Sequence, residues 1–422
     1  MSALRLCVCG YILRRMKTSR RAFVGASAVA AAHVWIPRAV KGYTAAEIVP
    51  VTPMKPGISK WDLDTPALCV DLDKMERNIA KLQRTCNANK IAVRPHAKTH
   101  KCAAIAKMQM AAGAIGICTA KLSEAEALFA EGIDRILMTT ANLPPNKIRR
   151  AMELKKRYPG FIQAVDYDQN VRDLNDAAKA AGVVADVVID VAVGTRTGIP
   201  PGEDALRLAQ LADKQPSLKL RGMLSYDGGA QHINTFAARK ERALKNIEEN
   251  ARTYEKMKAS GLNSEIFSGG GTGTYNIYHL VPGFTDVQAG SYIFMDMQYV
   301  AIGNVDGQPV YDDFEPSLTV LATIVNNRFP GRLTTDAGAK ALTLNVPRAG
   351  VIGEPGMDYN AGSDEFGSIT FKEARKEWKM GDRMELIVPH CDPAVNLYDY
   401  IYGIRNDRVE SVLSITARGH SQ

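Results

Sequence analysis

These 422 residues hold no CxxC pair, no internal repeat, no Walker-type phosphate loop and no apolar run long enough to cross a membrane. Seven cysteines (Cys7, Cys9, Cys69, Cys86, Cys102, Cys118, Cys391) show no repeated spacing, and five of them, an odd number, lie beyond residue 41. That argues against a disulfide framework; they read as small buried apolar residues. Acidic residues are missing altogether from Met1 to Lys41, which carries eight Lys or Arg. With that segment set aside, the net charge of +8 falls to near neutrality, so bulk charge gives no argument for a nucleic-acid partner.

What is present starts with Arg20-Arg21 before the weakly apolar run Val24 to Val34. The pair resembles a bacterial twin-arginine signal, so residues 1–45 are expected to be a signal segment and linker, and the protein periplasmic. After Pro53, Pro56 and Gly57, apolar strands alternate with helices, beginning with a strand over 64–72 and a helix N-capped by Asp73. Another helix is expected over 123–131, with Ser123 and Glu126 at capping-box spacing. The alternation runs to the glycine cluster at 269–274 and predicts a parallel (β/α)8 barrel over 60–312. A doubly wound sheet is the competing architecture; polar residues at several strand ends favour the barrel. Beyond it, strands separated by turn residues predict a β-rich C-terminal domain over 313–422. The expected fold class is α/β.

The densest chemistry lies in Arg94-Pro95-His96-Ala97-Lys98-Thr99-His100-Lys101, between a strand and a helix. Clustered cations and imidazoles there suit a bound phosphate and a lysine kept partly deprotonated for imine formation; an ordinary basic loop is the alternative. Ser268 to Thr274 offers backbone amides and hydroxyls to a phosphate, or a plain tight turn. Gln288 to Tyr292 gives a second small-residue turn, and Gly194 to Gly198 holds Arg196 between glycines. Tyr226 and His232 close another strand. In Pro389-His390-Cys391-Asp392-Pro393, strand-like alternation would put His390 and Asp392 on one side, an imidazole and a carboxylate suited to a divalent ion such as Mn²⁺ or Zn²⁺. A turn with a surface aspartate is the alternative.

Together these stretches resemble the D-threonine aldolase and D-serine dehydratase family, pyridoxal-phosphate enzymes with the alanine-racemase type of fold. The resemblance runs from about Asp64 to Gly419. It implies that Lys98 forms the imine with the cofactor and that Arg196 meets its phenolic oxygen. Tyr226, Gly270, Gly271, Thr272, Gly273, Thr274, Gln288, Gly290 and Ser291 would surround its phosphate and ring. His-Cys-Asp at 390–392 looks like the aldolase branch, in which His390 and Asp392 hold a divalent metal (Mn, Zn or Mg) and His232 is the general base. Two departures stand out: Asp227, where the family often has His, and Ala120, where it often has Gln. The activity implied is cleavage of a small D-β-hydroxy-α-amino acid to glycine and an aldehyde by a homodimer, with no nucleic-acid partner and no membrane attachment after export. The rivals are a D-serine or D-3-hydroxyaspartate dehydratase, an amino-acid racemase, a cofactor-homeostasis protein and a periplasmic binding protein.

Overall fold

A computed structural model describes residues 53–422; the twin-arginine stretch lies outside them. Eight short parallel strands form one sheet: β2 (Ala92–Val93), β3 (Ile117–Thr119), β4 (Ile136–Met138), β5 (Phe161–Val165), β6 (Ala185–Asp190), β7 (Leu218–Ser225), β8 (Ile266–Gly269) and β9 (Asp286–Val287). Their order is β2-β9-β8-β7-β6-β5-β4-β3, and a parallel bridge between His96 and Cys118 joins the two ends into a barrel. The strands are buried on both faces, hence their near-continuous apolar runs. Cys118, Leu137, Ile162, Ala164, Val188, Leu224 and Ile266 form a small apolar cluster of their own, apart from the main core. The surrounding helices bury one stripe each; Leu72–Ala88 hides Leu72, Met75, Ile79, Leu82 and Cys86 at three- and four-residue spacing.

Three local expectations need correction. Asp71, not Asp73, caps the first long helix, accepting from the Lys74 amide at 3.0 Å. The next capping interaction is made by Glu124 rather than by Ser123 and Glu126, because the helix starts at Leu122; Glu124 Oε2 accepts from the amides of Ala120 (2.9 Å) and Lys121 (3.1 Å). The larger correction concerns β1 (Ala67–Asp71), read from sequence as the opening strand of the barrel region. It belongs to the second sheet, antiparallel to β10 (Leu318–Phe329) and parallel to β16 (Tyr400–Arg405).

That second sheet has nine strands. Besides β1, β10 and β16 it contains β11 (Arg332–Thr335), β12 (Gly350–Val351), β13 (Asp358–Asn360), β14 (Gly367–Thr370), β15 (Arg383–Ile387) and β17 (Arg408–Ser414), and β11 also pairs back onto β10. No helix among the described residues is long and apolar enough to cross a membrane.

Candidate active site at the barrel mouth

Arg94 to Lys101 leaves the C-terminal end of β2 and closes as a turn, with the amides of His100 (3.1 Å) and Lys101 (2.7 Å) donating to the Ala97 carbonyl. The two lysines of this turn meet different fates. Lys101 is buried against Glu124, 3.3 Å away, and is structural. Lys98 reaches the mouth, its side chain 38% exposed, with Nζ 3.8 Å from Asp392 Oδ2 and 5.8 Å from the Tyr226 ring centre. His96 Nδ1 accepts from the Lys98 amide (3.3 Å) and Nε2 meets Thr139 Oγ1 at 3.4 Å. Burial, then the charge of Lys98, pushes His96 well below its ordinary pKa, so it is a neutral wall residue. His100 is likewise neutral, pushed down to about 4 by burial; its Nδ1 accepts from the Cys102 amide (3.1 Å) and its Nε2 meets Gln109 Oε1 at 3.2 Å.

His96 and Lys98 line a cavity of about 300 Å³ with Lys121, Asp190, Arg196, Thr197, Tyr226 and Gln288. A larger groove of about 620 Å³ runs outside the barrel between the 192–201 loop and helix Phe236–Ala259, among surface side chains such as Lys245 and Glu249. The smaller cavity carries the chemistry. Arg196 lies over Tyr226, its guanidinium carbon 5.0 Å from the ring centre. Asp190, buried at the end of β6, is pushed up to about 7 by burial.

Gln288 is wired from below. Arg94 Nε donates to Asp286 Oδ1 (3.0 Å), and Ser268 Oγ donates to the same oxygen (2.5 Å). With its hydrogen committed to a carboxylate, the Ser268 oxygen can only accept, so Gln288 donates to it through Nε2 (2.9 Å) and its carbonyl oxygen is left for other partners.

The glycine loop divides into bracing and free groups. Thr274 Oγ1 accepts from the Gly271 amide (3.1 Å), and the Gly273 amide donates to Gln231 (3.0 Å). Thr272 Oγ1 accepts from the Tyr292 amide (2.9 Å), tying this loop to the 290–292 turn. The Gly273 amide is therefore committed within the protein, whereas the hydroxyls of Thr272 and Thr274 act only as acceptors in these bonds and keep their own hydrogens to donate. The amides of Thr272 and Gly290 donate to nothing among the described residues, and the buried Thr99 hydroxyl has no partner. A Cβ at Gly290 would lie 2.5 Å from that hydroxyl, and one at Gly271 2.6 Å from Gln231 Oε1. Unpartnered donors beside obligate glycines fit the phosphate of a bound cofactor.

The other side of the mouth comes from the second domain. His390 and Asp392 are not on a strand: His390 is the N-cap of a short helix, Cys391–Val395, and Asp392 lies in its first turn. Pro393 is tolerated there because a first-turn residue has no helical acceptor to lose. His390 Nδ1 lies 2.9 Å from Asp296 Oδ2. Burial opposes protonation of His390, but the Asp296 hydrogen bond and the Asp392 charge raise its pKa overall. His232 is exposed, its ring 4.4 Å from that of Tyr299. Although part of the ring is open to solvent, the protein packed around it, with Asp296 opposing and His390 acting the same way, lowers its pKa. An imidazole and a partly exposed carboxylate are a fitting donor pair for a divalent ion completed by water.

Sequence reading missed Asp296, Asp190, Thr99 and the Asp286–Ser268 pair. Only Asp190 left a signal, an acid ending the apolar run Val187–Ile189 at a barrel rim. The departure at Asp227 has a structural role: its carboxylate accepts from the Ala230 amide (3.1 Å) and Asn246 (2.8 Å).

Residues 70–298 match the family model "Alanine racemase, N-terminal domain", and residues 317–404 match a serine dehydratase domain. The chain is 33% identical to a 3-hydroxy-D-aspartate aldolase of Paracoccus denitrificans over 87% of this chain and 95% of the relative. It is 35% identical to a D-threonine aldolase of an Arthrobacter species over 88% and 97% of the two chains. Among solved structures, the D-threonine aldolase from Filomicrobium marinum superposes with a TM-score of 0.83 at 33% identity, covering 88% of this chain and all (100%) of that one.

Proposed function

Since the chain belongs to the D-threonine aldolase and D-serine dehydratase family, with its alanine-racemase-like fold, we propose that it is a pyridoxal-phosphate- and divalent-metal-dependent lyase. It cleaves D-threonine-like D-β-hydroxy-α-amino acids to glycine and an aldehyde. The observation that carries this reading is the 3.8 Å approach of Asp392, beside His390, to the Lys98 amine. A carboxylate–imidazole pair so near the reactive lysine suits a substrate whose α-amine and β-oxygen are held at the same time.

When bound, the cofactor supplies an aldehyde for amines and an electron sink for the broken Cα–Cβ bond, and the ion acidifies the β-hydroxyl. The chain's own residues do the rest. Thr99 and the backbone of Gly270, Thr272, Gly290 and Ser291 would hold the phosphate, while Gln288, Arg196 and Tyr226 would hold the ring. Lys98 supplies the amine that the substrate amine replaces. His390 and Asp392 hold the ion. His232, whose lowered pKa favours its neutral form, takes the β-hydroxyl proton on a ring nitrogen.

Product analysis of the holoenzyme on D-threonine, D-3-hydroxyaspartate and D-serine tests the reading. Glycine plus aldehyde supports it; ammonia plus keto acid returns the chain to the dehydratase branch. Export through the twin-arginine route and a homodimeric state belong to the same proposal. Replacing Arg20 and Arg21 by Lys should hold the precursor in the cytoplasm, and sedimentation should read a dimer.

A further inference from the structure

The carboxylate of Asp296 lies beneath the metal end of the mouth, is 0% exposed, and has three hydrogen bonds to make use of it. Oδ1 accepts from the Gln298 amide at 3.1 Å. Oδ2 accepts from the Cys391 amide at 2.9 Å and lies 2.9 Å from His390 Nδ1. We propose that Asp296 is the positioning residue of the metal site: it holds His390 in the tautomer protonated at Nδ1, which leaves Nε2 as the ion's ligand, and does not itself touch the ion. This rests on the reading of His390 and Asp392 as the metal pair.

Both carboxylate oxygens accept from backbone N–H groups, Oδ1 from Gln298 and Oδ2 from Cys391, so Asp296 faces the ring as an acceptor; the ring nitrogen beside it then carries the hydrogen and the lone pair sits on the opposite nitrogen. A competing arrangement exists, because ligand atoms of Asp296, His390 and Cys391 all lie within 4.8 Å of one another. Direct ligation by that triad through Nδ1 would cost the bond between His390 and Asp296. It would also take up a sulfur that already points at Asp392, with Sγ 3.6 Å from Oδ1. The outer position keeps every one of these bonds. A carboxylate behind a ligating histidine fixes the ring's orientation and raises its basicity, and removing such a partner typically weakens metal binding 10- to 100-fold, on the order of what is expected here.

The test uses the full chain with its cofactor, stripped of metal by chelator and titrated calorimetrically with Mn²⁺. Asp296→Asn should bind about 10- to 100-fold more weakly than the parent, still at one ion per chain and with unchanged cofactor absorbance. His390→Ala and Asp392→Ala should abolish tight binding. Parent-like Mn²⁺ affinity in Asp296→Asn overturns the proposal, including the case in which only its melting temperature falls. If Asp296→Asn does not fold, the unaltered protein loaded with Zn²⁺ decides: ¹⁵N-histidine spectra should show His390 protonated at Nδ1 and metallated at Nε2. Metal on Nδ1, or a crystal structure with the ion on Asp296, overturns it. Should His390→Ala and Asp392→Ala also bind Mn²⁺ like the parent, the metal pair itself is wrong, a result distinct from failure at Asp296 alone.

Discussion

The two sides of the mouth are built by opposite means. The phosphate side is made of backbone amides, hydroxyls and two neutral histidines, held in place by hydrogen bonds within the barrel. The side proposed to hold the ion is made of ionisable side chains from distant segments, Asp296 with His390 and Asp392 with Lys98. The first side suits a permanently held group. The second can exchange an ion and a proton. Burial depresses His96 and His100, whereas the net effect of surroundings raises His390, so the two sides should answer pH with opposite signs.

The strongest way to break this division is Lys98→Ala. Activity should fall at least about 10³-fold, while circular dichroism and Mn²⁺ binding survive. Borohydride reduction of the parent should label Lys98; label on Lys101 or Lys121 would sink the assignment. Next, Asp392→Ala, or thorough chelation, should cost about 10²-fold or more in aldol cleavage while the cofactor stays bound. Full activity in a chelated sample would leave the 389–393 turn without a catalytic part.

The pH contrast sharpens the comparison through stability. His100 binds a proton near 6.5 when unfolded but only at about 4 when folded. The unfolded chain therefore takes up protons first, and stability falls as pH drops from 6.5 to 4, by roughly 3 kcal/mol from this residue. For His390 in the chelated protein the sign reverses: its contribution is full below pH 6.5 and is lost as pH rises through its raised folded value. Urea unfolding at pH 4.5, 6 and 8 should show His100→Gln flattening the acid slope and His390→Ala flattening the other. Matching slopes in both variants would erase the contrast. The smallest effect is steric. Gly290→Ala should destabilise by about 1–3 kcal/mol through its clash with Thr99 Oγ1, and Thr99→Ala in the same chain should recover part of that. No recovery would place the strain elsewhere.

The division also explains what could be read from sequence. Lys98 and the glycine loops were legible because their residues are contiguous and sit where a strand ends. Groups that act in pairs across the chain were not. Arg94 and Asp286 are 192 residues apart, and His390 and Asp296 are 94 apart. Asp296 reads locally as an ordinary helix cap before Met297. His390 and Asp392 were singled out while their backbone was mistaken for strand, because alternation and a first helical turn cannot be told apart over three residues flanked by prolines. The second sheet was legible at β10, but β12 and β13, which have two and three residues, were missed, and so was the six-residue β16.

The position of β1 between β10 and β16 constrains how the molecule can be made. A ribosome delivers Ala67–Asp71 first and its flanking partners Leu318–Phe329 and Tyr400–Arg405 last, with the whole barrel in between. At typical elongation rates the segment waits on the order of ten to fifty seconds for its first neighbour. Throughout that interval a nascent strand of four buried residues and one half-buried residue has both edges open, the arrangement most prone to pairing with another chain. No single cut then separates the two domains into independent products: a truncation after the barrel strands β1, and a C-terminal fragment lacks a central strand of its sheet. A circular permutant that starts between Asp71 and the barrel, with Ala67–Asp71 carried behind Ser414 on a linker, would deliver the strand next to its partners and should shorten that exposure.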